Sequence, residues 1–178
     1  MRLSLTTMLL AVCALPVAEA ARAQNPVTNG YRAIEQRQAK NIVEAAEAMP
    51  ADKYGFKPTP AQMSFGDVVA HLITDGNDYL CGAASGQKAP ERGKFAGTDP
   101  KDKLVAGLKA SFQFCHTSAA QMQDVQLGDS TEFFGGRKVT RATATLITVA
   151  DWADHYSQMA IYLRLNGLLP PTAKKASD

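Results

Sequence analysis

Asp151-Trp152-Ala153-Asp154-His155-Tyr156-Ser157-Gln158-Met159-Ala160-Ile161-Tyr162-Leu163-Arg164-Leu165-Asn166-Gly167-Leu168-Leu169-Pro170-Pro171 reads as the closing turns of one helix. Nothing before Gly167 breaks it. Gly167 supplies a left-handed C-cap, and the two prolines behind it forbid continuation. Arg164 suits the last turn, where the helix dipole favours a cation. Residues four apart share one face of a helix, a turn apart. Asp151 and His155 can therefore hold the same metal ion. A third ligand must come from elsewhere, and the chain has 3 histidines in all.

Working outward from this run, the sequence contains three more helical segments. The closing helix starts near Arg141, after a loop from Asp124 to Thr140 that holds Gly135-Gly136 and has room for a short hairpin. A helix begins after Asp99-Pro100, with Leu104, Val105, Leu108, Phe112, Cys115 and Met122 on one face. Another opens near Ser64, with Asp67 three residues on as a capping box, and carries Phe65, Val68, Val69, Leu72, Ile73, Tyr79 and Leu80. The first runs from Pro26 to Met49, with Asn25 as its N-cap and Pro50 as its stop. Four helices without convincing strands predict an all-α fold, a four-helix bundle. The long polar link from Ser85 to Pro100 is expected to cross the bundle and let the second and third helices run parallel. The 1–2 and 3–4 links are expected to join antiparallel neighbours.

Residues 1–23 read as a secretory signal peptide. Met1-Arg2 is a positive start, an uncharged apolar run extends from Leu3 to Val17, and Ala21-Arg22-Ala23 offers small residues before a cut at Gln24. Ala18-Glu19-Ala20 is the second cleavage candidate. The run is too short for a membrane span. A domain over 24–178 remains, which loses Cys13 and is expected in the periplasm or outside the cell. The full chain has 19 basic and 17 acidic residues; without Arg2, Arg22 and Glu19 the count is 17 against 16. Such balance argues against nucleic acid or an anionic membrane as the main partner. Two cysteines remain in an oxidising compartment, which favours a Cys81–Cys115 bridge over two unlinked thiols.

The run from His155 to Pro171 resembles the last helix of the DinB/YfiT-like superfamily. So does Met49-Pro50-Ala51-Asp52-Lys53-Tyr54-Gly55-Phe56-Lys57-Pro58-Thr59-Pro60, followed by Met63-Ser64-Phe65-Gly66 and His71. The resemblance implies the bundle fold and a metal site built from one histidine on the second helix and two, four apart, on the fourth. His71 and His155 match two of these. Asp151 stands where the family usually has histidine. The implied set is His71, Asp151 and His155 around a divalent ion such as zinc, nickel, manganese or iron. On a helical wheel both histidines fall roughly 120° from their apolar stripes, beside the core. His116 matches no ligand position and reads as a surface histidine. Asp75, four residues after His71, reads either as an acceptor for its ring N–H or as a solvated surface acid.

Relatives include thiol-dependent transferases and an isomerase. A metal-dependent enzyme acting on a small molecule, as hydrolase or transferase, is thus the first expectation, and a non-catalytic ligand-binding or stress-related bundle the second. Whether two copies pair as a homodimer is left open. No Gly-x-Ser-x-Gly elbow or phosphate-binding loop offers another chemistry.

Overall fold

The computed structural model of the chain describes residues 25–174. The expected leader lies outside them. Among the described residues, four long helices form the body: α1 (Pro26–Ala48), α2, α3 (Lys101–Ala120) and α4 (Arg141–Leu165). α2 is three consecutive segments, Phe65–His71, a π-helical Leu72–Tyr79, and Leu80–Ser85. The residues at both joints keep right-handed helical dihedrals, so the segments form one rod. The expected hairpin is present as β1 (Ser130–Phe133) paired antiparallel with β2 (Arg137–Thr140). No described helix is long and apolar enough to cross a membrane.

The helix ends follow local chemistry. Ser64 and Asp67 form the expected capping box of α2. α4 ends in a Schellman turn: the Leu168 N–H donates to the Leu163 carbonyl and Gly167 to Arg164, with Gly167 at φ 75°. Asn25 is the N-cap residue of α1, as expected, but it does not cap by its own side chain. Its amide oxygen accepts from the Asp124 N–H, and the Asp124 carboxylate accepts from Val27 and Thr28. A full carboxylate brought in from the α3–β1 loop takes the free N–H groups in place of the local amide.

Pairs of contacting residues give the helix directions. Lys101, opening α3, donates to the Glu47 and Met49 carbonyls at the end of α1. Arg32, early in α1, donates to the Ala119 and Met122 carbonyls at the end of α3. These helices are antiparallel, and each lends the other a cation at its C-terminal end. Asn77 meets Ser111 and Cys81 meets Cys115, both 34 residues apart, so α2 and α3 run parallel as the crossover allows. α2 and α4 are antiparallel, with His71 against His155 and Asn77 against Trp152.

Around the bundle the order is α1, α3, α2, α4. The expectation that α1 and α2, and α3 and α4, would be neighbours is corrected: each pair lies across a diagonal. The links of residues 49–64 and 121–140 are long enough to span the bundle, so sequence order does not force adjacency.

Trp152 is fully buried at the centre. It stacks on Tyr31 at 5.8 Å and tilts against Phe112 at 5.9 Å. Its indole N–H donates to Asn77 Oδ1 at 2.8 Å, and Asn77 Nδ2 donates to Ser111 Oγ at 2.8 Å. One buried amide thus fixes α2 against both α3 and α4 beside the Cys81–Cys115 disulfide.

Candidate metal centre

The α2/α4 contact brings together the three residues expected to meet. His71 comes from the turn just before the π segment, and Asp151 and His155 from successive turns of α4. One ligand atom from each lies within 4.8 Å of the others. Asp151 Oδ1 stands 3.4 Å from His155 Nε2 and 3.8 Å from His71 Nε2. Two ligands about 2.1 Å from a tetrahedral ion stand roughly 3.4 Å apart, so the separations suit one cation.

Hydrogen bonds settle which ring nitrogen each histidine offers. His71 Nδ1 faces Asp75 Oδ2 at 3.2 Å. A carboxylate only accepts, so Nδ1 carries the proton and Nε2 is free. His155 Nδ1 faces Gln158 Oε1 at 3.2 Å, while Gln158 Nε2 donates to Asp154 Oδ2. That chain fixes the Gln158 amide and places a proton on His155 Nδ1 as well. Metal-binding imidazoles are held by outer acceptors in this way. Asp75 is the acceptor for which its spacing leaves room, rather than a merely solvated acid; the Asp154–Gln158 relay was not anticipated, although Gln158 lies one turn after His155 on its face.

Electrostatics and packing agree. Burial pushes the Asp151 carboxyl up, but hydrogen bonding and charge from His155 and His71 outweigh it and hold it at about 2. His71 is raised, chiefly by Asp151 as acceptor, against opposing burial. Asp151 Oδ2 is buried with no hydrogen-bond partner. That oxygen faces Gly76, while Oδ1 faces the two Nε2 atoms; a desolvated carboxylate is costly, and a cation held by the three ligands would neutralise it. The residues present therefore fit a divalent ion. His155 is only 8 % exposed, deeper than the helical wheel implied.

Gly76 is the residue that sequence reasoning missed. It sits in the π-helical segment, where a Cβ would lie 2.9 Å from Asp151 Oδ2. Its bare backbone leaves the space that the carboxylate occupies. A glycine inside a helical pattern was the available signal. The cavity of about 670 Å³ at the end of the bundle, lined by Tyr54, Asp67 and Lys101, contains none of the three ligands. The centre stands instead between α2 and α4, with the His71 side chain 30 % exposed and Asp151 18 %.

A profile of the DinB superfamily matches residues 34–159, which include all three ligands. The chain belongs to the DinB superfamily. Solved structures agree on the fold. A DinB-like protein from Bacillus cereus superposes with a TM-score of 0.65 at 16% identity, covering 83% of this chain and 97% of that one. One from Bacillus subtilis gives 0.64 at 21% identity, covering 83% and 99%. A conserved protein from Enterococcus faecalis gives 0.59 at 17% identity, covering 78% and 96%. At these identities the likeness is one of fold alone. No curated protein matches the sequence.

Proposed function

We propose that this DinB-superfamily chain is a divalent-metal-dependent enzyme, that His71, Asp151 and His155 hold the ion, and that its reaction is hydrolysis of a small molecule. One observation carries the reading. Both imidazoles have their Nδ1 protons held by outer acceptors, and both Nε2 atoms face the same Asp151 oxygen. A bound ion there supplies Lewis acidity and a water of lowered pKa. Zinc, nickel, manganese and iron all accept an imidazole–carboxylate set. Asp75 and the Asp154–Gln158 pair keep the imidazoles oriented. Gly76 gives Asp151 its place, and Asp151 brings a negative charge where the family usually has a neutral imidazole.

The compartment favours water over a thiol as co-substrate. The disulfide points to an oxidising environment. We read residues 1–23 as a leader removed on export and 24–178 as the working domain. The low-molecular-weight thiols used by cytoplasmic relatives are scarcer there. Intact-mass measurement of the exported protein is expected to show a chain starting at Gln24 or Ala21; retention of residues 1–20 contradicts export.

The functional test is a hydrolase panel of esters, amides and lactones with tag-free protein. Activity on one class should vanish with chelator, return with one of the four metals, and be absent in Asp151→Ala. Activity that survives chelation, or an inert metal-loaded protein throughout the panel, contradicts the proposal.

A further inference from the structure

Glu35 is the most anomalous residue in the α1 core. Its side chain is 2 % exposed, and its polar partner is the half-exposed His116 imidazole at 3.3 Å. His116, read from sequence as a plain surface residue, is therefore tied to a buried acid. Taking a carboxylate out of water is offset only by full pairing. A carboxylate offers about four acceptor positions, and one imidazole fills one of them. Burial pushes Glu35 up, with His116 only partly opposing.

A groove of about 360 Å³ between α1 and α3 opens beside this carboxylate. Ala39, Val43 and Phe112 give it apolar walls, and Lys40 and Lys109 stand at its rim. None of the metal ligands lines it. An apolar cavity with a few converging polar groups, one of them a desolvated acid, has the make-up of a small-molecule site.

We propose that the α1/α3 groove binds a small protonated monoamine with a compact apolar body, its ammonium on Glu35 and its body against Ala39, Val43 and Phe112. An ammonium supplies the donors that Glu35 lacks. The rim sets the limit on charge. Lys109 is tied to Glu47 at 2.6 Å, but a second positive charge on the ligand would still meet Lys40 and Lys109. One charge is accepted and a polyamine is rejected.

Trp152 is the chain's single tryptophan and lies 5.9 Å from Phe112, so it reports on the groove. The test titrates the mature protein, with chelator present, with benzylamine, benzyl alcohol, benzoate and spermidine, read by Trp152 fluorescence and calorimetry. Benzylamine should bind saturably at about 1 mM or tighter, a reach typical of so small a ligand. The alcohol, the acid and spermidine should each bind at least roughly tenfold more weakly, the worth of one charge-assisted bond. Glu35→Gln should lose roughly the same factor. His116→Ala, which leaves the exposed end open and the acid in place, should bind benzylamine as well as or better than the unaltered chain. Asp151→Ala should bind it unchanged, which separates this site from the metal centre. Equal binding of benzyl alcohol and benzylamine, unchanged affinity in Glu35→Gln, or no saturable binding in either the unaltered chain or His116→Ala overturns the proposal.

Discussion

Gly76→Ala separates the metal centre from the stability of the fold. The added Cβ would lie 2.9 Å from Asp151 Oδ2 and 3.3 Å from Leu72 Cδ2. A comfortable carbon–oxygen approach is roughly 3.3–3.6 Å, so the carboxylate must retreat by about 0.5 Å. Metal sites hold their ligands to about that tolerance, and disturbing a residue that places a ligand typically costs roughly 10–100-fold in affinity. Helix propensity works the other way. Gly76 is not among the glycines with positive φ, so alanine suits its backbone and gains up to about 1 kcal/mol. Zinc affinity should therefore drop at least roughly tenfold while urea stability without metal holds or rises. Competition against a chromogenic chelator measures the first and urea unfolding the second. Unchanged zinc affinity refutes the role given to Gly76. A fall in affinity matched by a large loss of stability refutes it too, because the glycine would then serve packing alone.

Three other outcomes follow from the same geometry. Replacing both Cys81 and Cys115 with serine opens a loop whose ends are 34 residues apart, which chain entropy values at about 4 kcal/mol of urea stability; a loss under about 1 kcal/mol would contradict that. His71 is raised, chiefly by Asp151, so without metal its contribution to stability is complete just below the unfolded value near 6.5, where Asp151, held at about 2, stays ionised, and disappears as pH rises through the higher folded value. Metal affinity runs in the opposite sense, growing as that proton leaves. Its midpoint should lie above about 6.5, and one at or below about 6.5 counts against the coupling. Asn77→Ala strips the acceptor from the buried Trp152 N–H and should cost about 2 kcal/mol or more of urea stability with a shift in Trp152 emission; an unshifted spectrum would show that this bond does not govern the indole.

The fold was legible because its signals are local. Gly167 with Pro170-Pro171, Ser64 with Asp67, and Asp99-Pro100 each fix a helix end without help from tertiary contacts. The packing order was not legible, since the links between helices are long enough to reach either a neighbour or a diagonal partner. The ligand set followed from the i, i+4 spacing of Asp151 and His155 together with the family pattern that picked His71. The π-helical stretch of α2 was hidden, because no local sequence signal marks it. Glu35 and His116 lie 81 residues apart, on helices 1 and 3, and no sequence period links them. Gly76 was visible as an anomaly, but its purpose appears only once Asp151 is set against it.

Of the three residues proposed to hold one divalent ion, His71, Asp151 and His155, Asp151 is the member that decides the assignment. Calorimetric titration of tag-free, chelator-stripped protein with zinc and nickel, alongside Asp151→Ala and Asp151→His, is the most direct measurement. One site per chain is expected, with a loss of at least roughly tenfold in the alanine variant and binding as tight or tighter in the histidine variant. No binding at micromolar metal in the unaltered chain, or the same affinity in all three proteins, contradicts the assignment and leaves the non-catalytic bundle as the better reading.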